Sequence, residues 1–513
     1  MIIDLNDVDG DPFADRVFDV CICGAGVAGI TLAQKLSSKL DVLLLEGGGL
    51  EYSVESQNIY RGEIVGRPSY PLETARLRYF GGTSNHWAGW CHPLDESDFL
   101  KKLYLKYSGW PIRRGDLDPY LTEAGAVLDL TEDRADQASA YEEGQLGFDI
   151  LQANDFRRVG FKWSPPTRFG EKFRDDIEHS SNVTCFLNAN VVDVSLHANL
   201  TRVSDFEVRD MTGKSYRATA KTFIVAAGGI ENPRVLLNAN RQIPAGIGNE
   251  NDLVGRFFAD HHVLKVGRFI LEDDARERVA SRHWNNESRK NDWYFAPTPE
   301  FMEREQILNF GLVVVPDREP SSGLSFKKHL SSLVCKSEWS QSKMDQWRDT
   351  PMWCPGGGFL RMVSEQSPNP LSRVTLGSDT DRFGVRRSVL DWRHSDIDLR
   401  TIQRAVIRLG EVLAKKELGR VQVDNWLLQD QLSVPDTERT GGWHHMCTTR
   451  MASNKSEGVV DENLRVFGTD NLFIGGSSVF ATTGHDCPTI SIVQLALRLA
   501  DHINSIHKVR QRA

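Results

Sequence analysis

Near the C-terminus, the stretch TTGHDCPTISIVQLALRLAD sets His485, Asp486 and Cys487 directly ahead of Pro488 and an apolar helical pattern. Any small polar residue would serve there as a helix cap. An imidazole, a carboxylate and a thiol in a row can instead carry protons or attack, and a helix N-terminus favours the thiolate. A second chemical signature lies at the opposite end of the chain. GAGVAG supplies Gly24, Gly26 and Gly29 in GxGxxG spacing, and Glu46 ends the next apolar run, DVLLLEGG. In that pattern one glycine makes the tight turn, one admits a pyrophosphate and one lets a helix pack on a strand. The carboxylate accepts the ribose hydroxyls of an adenosine and repels a 2′-phosphate.

These groups require elements to hold them. Val17 to Cys23 reads as a buried strand, followed by a helix carrying Ile30, Leu32, Ala33 and Leu36. NVTCFLNANVVDVSL and FEVRDMTGKSYRATAKTFIVAAGG read as short strands with a turn at MTGK, the last returning to the nucleotide sheet, with a helix expected from Pro233. From about residue 262 to 443, alternating runs such as HVLKVGRFIL, ILNFGLVVV and SRVTLGSD predict an antiparallel sheet. Leu399, Ile402, Val406, Leu409 and Leu413 predict an amphipathic helix lying on it, with Ser395 and Asp396 as cap candidates. The expected architecture is α/β, α+β overall. A Rossmann-like cofactor-binding domain takes 1–100, 181–262 and 444–513, and a substrate domain on a largely antiparallel sheet covered by helices takes 101–180 and 263–443.

Composition narrows the partners. The chain has 513 residues, 40% hydrophobic and 26% charged, with a net charge of −9. It has no basic tract of the kind that tracks a phosphate backbone, so nucleic acid is not an expected partner. The opening MIIDLNDVDGDPFADR has no apolar core, and no apolar stretch approaches the ~18 residues a membrane span needs. A cytoplasmic protein without a membrane partner is therefore expected. Eight scattered cysteines form no CxxC pair, which predicts reduced thiols and no metal or iron–sulfur site; Cys21 and Cys23 read as core. Trp339, Trp347 and Trp353, in a polar segment, are packing anchors or a stacking surface for a sugar.

Four segments together resemble the glucose-methanol-choline (GMC) flavoprotein oxidoreductases, in particular the bacterial branch near pyranose oxidases and sugar dehydrogenases. They are GAGVAGITLAQKL…LLLEGGG, RYFGGTSNHWAGW, FIVAAGGIENPRVLL and the region from HHMCTTRMA to the last helix. The resemblance implies FAD as cofactor and oxidation of an alcohol CH–OH, on a sugar, glycoside or polyol, by hydride transfer to flavin N5. The electrons would then leave to oxygen or a diffusible acceptor. Matching HHMCT to the family's HxxGT implies His444 as the base, with His445 a packed neighbour. The family's second catalytic position, Asn or His, falls on Cys487, a weaker hydrogen-bonding group, and Cys447 and Ala452 stand where glycine is usual.

The same match puts Gly81 and Gly82 against the flavin ring, with Thr83, Ser84 and Asn85 near its polar edge. His86 falls where pyranose oxidases attach FAD, and non-covalent retention is expected here. Val192 and Ala227 are placed beside the cofactor, as are Pro488 and Thr489, whose helix N-terminus would stabilise negative charge on the reduced ring. His485 and Cys487 would flank the flavin. The rival class is a flavin-scaffold isomerase or lyase using His444, His485 and Cys487 without net redox.

Overall fold

The computed structural model describes residues 1–130, 155–272, 291–317, 356–429, 432–434 and 441–510. Trp339, Trp347 and Trp353 lie outside the described residues. The apolar run VFDVCIC forms the strand Val17–Cys23, flanked in parallel by Val42–Leu45 and Ser215–Val225. Covered on both faces, it buries every residue from Val20 to Cys23. The eight-stranded sheet continues outward through Val183–Leu187 to Ile2–Asp4 on one side. On the other it runs through Val203–Arg209 to Asn190–Leu196, and Leu472–Ile474 pairs with Ser215–Val225. The turn at MTGK joins Val203–Arg209 to Ser215–Val225.

After this sheet the helix Gly228–Asn238 begins ahead of Pro233, not at it. Pro233 has no N–H, so the Gly229 carbonyl four residues back loses its helical donor. Thr448 Oγ1 supplies the missing hydrogen bond at 2.5 Å. That bond explains how the proline is tolerated, and it pins the HHMCT segment against the helix.

The second sheet has seven strands, in the order Gly419–Val423, His262–Leu271, Gly357–Ser364, Phe310–Pro316, Asn291–Pro297, Phe156–Trp163 and Trp90–Cys91, every pairing antiparallel. Alternation divides its residues between two faces. Leu264, Leu312, Leu360 and Met362 pack with Leu399, Ile402, Val406, Leu409 and Leu413 of the helix Asp396–Lys415. Ser395 and Asp398 form that helix's capping box. Val263, Val313 and Val363 face the other way, into a cavity.

Two expectations change. SRVTLGSD does form the strand Arg373–Thr380, but in a separate three-stranded sheet with Arg386–Asp391 and Glu63–Ile64. Its inward Val374 and Leu390 build a small core of their own with Ile230, Phe258 and Trp392, which is why it does not join the larger sheet. The described part of 101–180 is divided. Phe156–Trp163 joins the seven-stranded sheet, whereas Leu117, Leu121, Phe169 and Ile177 pack into the core of the nucleotide sheet. Among the described residues no helix is long and apolar enough to cross a membrane.

Candidate active site

One continuous cavity of about 710 Å³ runs between the two large sheets. Gly24, Gly26 and Glu46 line one part of it, and His444, Cys487 and the valines of the antiparallel sheet line another.

At the nucleotide end, Gly24 has φ +104°, and a Cβ on Gly29 would lie 1.8 Å from the Gly24 carbonyl oxygen. Only glycines allow the helix Val27–Leu36 to start so close to the strand. A Cβ on Gly26 would meet nothing within 4 Å, so that residue opens onto the cavity, as a pyrophosphate seat requires. Glu46 is buried, with Oε2 accepting from Ala25 N–H and Oε1 from Gly48 N–H, each at 2.9 Å. Each oxygen keeps a lone pair for a ribose hydroxyl. These residues fit the adenosine and pyrophosphate of FAD.

Gly82, Thr83, His86, Val192, Ala227, Pro488 and Thr489 line the same cavity. Gly29, Gly81 and Asn85 do not: they shape its wall from behind. Asn85 Nδ2 donates to the Phe80 carbonyl, and its Oδ1 accepts from Gly170 N–H. Thr83 Oγ1 accepts from Leu77 N–H. The His86 ring stacks on Trp443 at 6.1 Å, and burial, then the Arg168 charge, lowers its pKa.

His444 is partly open to the cavity, and its backbone N–H donates to Asp260 Oδ1 at 2.9 Å, as Gly442 N–H does at 3.0 Å. Burial, then repulsion from His261 and His445, holds its imidazole well below the ordinary histidine range. It is neutral at neutral pH, as a base must be. His445 also touches the cavity but is packed: its carbonyl accepts from Ser477 Oγ at 2.7 Å, and burial lowers its pKa to about 3. Cys447 adopts φ +70°, the conformation that glycine would supply in the related motif.

Cys487 is on the cavity wall, but burial, then the neighbouring Asp486, pushes its thiol up to about 12. Both effects oppose the ionised thiol that the helix N-terminus would favour.

His485 departs further from expectation. It does not line the cavity; it is fully buried in a polar cluster behind it. Tyr294 Oη contacts His485 Nε2 and donates to Asp486 Oδ1 at 2.6 Å, and His92 Nδ1 lies 3.0 Å from the same oxygen. Arg157 pairs with Asp95, whose Oδ2 also accepts from Asn309 Nδ2 at 3.1 Å. His92, Asp95 and Asp486 bring ligand-type atoms within 4.8 Å of one another. Arg157 and Tyr294 already occupy the carboxylates, so the group reads as an ion-paired polar cluster.

Sequence reasoning missed Arg78, Asn190, Tyr70 and Trp443, all on the cavity wall. Arg78 donates to the Gly47 carbonyl at 2.7 Å and to Asn190 Oδ1 at 2.5 Å, bracing the segment after Glu46. Its only signal was an arginine two residues ahead of Phe80 in RYFGG.

Residues 368–496 match the GMC oxidoreductase family. The chain is 26% identical to a 2-methyl-1,2-propanediol dehydrogenase of Mycolicibacterium austroafricanum, over 95% of each chain. It is also 26% identical to the fructose dehydrogenase large subunit of Gluconobacter japonicus, over 94% of this chain and 97% of that one. Among solved structures, a formate oxidase of Aspergillus oryzae superposes with a TM-score of 0.58 at 16% identity, over 98% of this chain and all of that one.

Proposed function

We propose that this chain is a GMC-type FAD-dependent oxidoreductase acting on alcohols, that its substrate is a small polyol or sugar, and that His444 is the base that takes the hydroxyl proton. One observation carries the reading: the glycine turn with Glu46 and the neutral imidazole of His444 open into one cavity. FAD, when bound, accepts the hydride that leaves the carbinol carbon. Gly24, Gly26 and Glu46 would hold its adenosine and pyrophosphate, and Gly82, Thr83, Pro488 and Thr489 would line its ring. Val263, Val313 and Val363 form an apolar wall that keeps water from the reacting carbon. His444, fixed through its N–H on Asp260, holds a lone pair for the hydroxyl proton. The Cys487 thiol, protonated at neutral pH, offers the hydroxyl one weak donor. Diols and ketoses are the substrates in the names of the two relatives, and dioxygen or a small diffusible molecule is the proposed electron acceptor.

The test is anaerobic titration of the yellow protein with 1,2-propanediol, D-fructose and sorbitol. Bleaching of the flavin band by at least one is expected. A band unchanged by all three, in protein that releases FAD on denaturation, overturns the substrate class.

A further inference from the structure

His261 begins the entry to the strand His262–Leu271 and is completely buried, yet it touches His444. The two Nδ1 atoms lie 2.8 Å apart, with the rings nearly perpendicular at 86°. On its other side, His261 Nε2 lies 3.0 Å from the Gly484 carbonyl oxygen and 3.3 Å from that of Thr483. We propose that His261 is a positioning residue that fixes the tautomer of His444, leaving Nε2 of His444 as the basic nitrogen that accepts the substrate's proton.

The assignment follows from what each atom can do. Carbonyl oxygens only accept, so a His261 Nε2 facing two of them must carry the proton. Burial lowers the His261 pKa to about 4, so the ring is neutral and its Nδ1 holds a lone pair. A lone pair 2.8 Å from another ring nitrogen requires a donor there, so His444 Nδ1 carries a proton. His444 is itself neutral, which leaves its Nε2 bare. The opposite arrangement would point an unprotonated His261 Nε2 at two carbonyl oxygens and leave buried acceptors facing one another with their hydrogen bonds unmade.

When His444 Nε2 takes the hydroxyl proton, Nδ1–H keeps its bond to His261, so the partner at Nδ1 is a neutral acceptor and not a carboxylate. The other charged or titratable groups around the pair are His445 and Asp260 beside His444, and His485 and Asp486 beside His261. The anchoring carbonyl belongs to Gly484, which has φ +55° and whose Cβ would fall 2.7 Å from Asp98 Oδ2. The turn ahead of Cys487 therefore reaches His444 through His261, although the two motifs are far apart in sequence.

The inference rests on the reading of His444 as base, and nitrogen NMR separates the two. In FAD-loaded protein carrying 15N-histidine, with signals assigned by loss in His444→Gln and His261→Asn, His444 should show a protonated Nδ1 and a bare Nε2. His261 should show the reverse. His261→Leu removes the acceptor: His444 should then populate both tautomers. Flavin reduction by 1,2-propanediol or D-fructose should slow roughly tenfold to a hundredfold, part of the 10²–10⁴ a positioned base supplies, with FAD content unchanged. His261→Asn, whose Oδ1 can accept, should recover most of that rate. A wild-type His444 protonated on Nε2 overturns the proposal, as does a His261→Leu protein with the wild-type tautomer and rate. If His261→Leu fails to fold, the wild-type spectrum and His261→Asn still decide. If neither alcohol reduces the flavin, the substrate reading fails while the spectrum still decides the tautomer.

Discussion

His444 and His485 are both imidazoles that burial keeps neutral at neutral pH, and both belong to motifs rich in reactive groups, yet the fold uses them in opposite ways. His444 turns its ring to the cavity, with its Nδ1 engaged behind by His261. His485 turns away from the cavity to the Tyr294 hydroxyl on the antiparallel sheet, between Asp486 and Asp95. A depressed pKa therefore does not by itself mark a catalytic group here. What separates the two is a place on the cavity wall.

Alanine at the two positions of this comparison should give very different results. His444→Ala should leave FAD bound and slow flavin reduction by about 10² to 10⁴-fold, the usual contribution of a positioned general base. Stopped-flow reduction by the substrate that bleaches the wild type measures it. An unchanged rate would transfer the role to another histidine and erase the contrast.

His485→Gln should instead act on stability, with the rate of flavin reduction nearly preserved. The folded protein holds His485 at about 4, below the ordinary 6.5, because burial opposes its charged form more than Asp486 and Asp95 favour it. The unfolded chain thus binds the proton first. Stability present above pH 6.5 is lost as the pH falls toward 4, by about 3 kcal/mol at most from this group. Gln, which keeps a donor for Tyr294 but does not titrate, should flatten the fall in melting temperature across that window. His261, His445 and His394 are depressed likewise and will still titrate, so the readout is the difference between variant and wild type at pH 7 and pH 4.5. A loss of rate comparable to that of His444→Ala would put His485 in the chemistry.

The same contrast shows what the sequence made legible. The phosphate turn could be read because its function lies in local backbone geometry: three glycines and a carboxylate at fixed spacing leave few alternatives, and φ +104° at Gly24 is a property of that spacing. The place of His444 on the cavity wall was legible only through its motif, and Cys447 at φ +70° marks where the motif departs from glycine. The direction of His485 was not legible, because adjacency to Cys487 says nothing of which sheet its ring meets; Tyr294, its partner, is far off in the chain. His261 was invisible for the same reason, since nothing in HHVLKV reveals a carbonyl waiting at Gly484. The split of the antiparallel region into two sheets depended on which side chains found a common core, and alternation alone cannot report that.

Cys487 sharpens the comparison from a third position, and its substitution should have the smallest effect. It shares the cavity with His444 and the chain segment with His485. Burial raises its thiol pKa, so the part proposed for it is a weak hydrogen bond to the substrate hydroxyl. Cys487→Asn would replace that bond with a stronger donor and acceptor in much the same place. Asn is the larger polar side chain, but the site opens onto the cavity, so the amide has room to turn toward the hydroxyl. Anaerobic flavin reduction should stay level or rise a few-fold, on the order of the 0.5–1.5 kcal/mol a neutral hydrogen bond contributes. Complete loss of the reaction would mean that the thiol carries chemistry of its own and that the cavity wall holds a second reactive group besides His444.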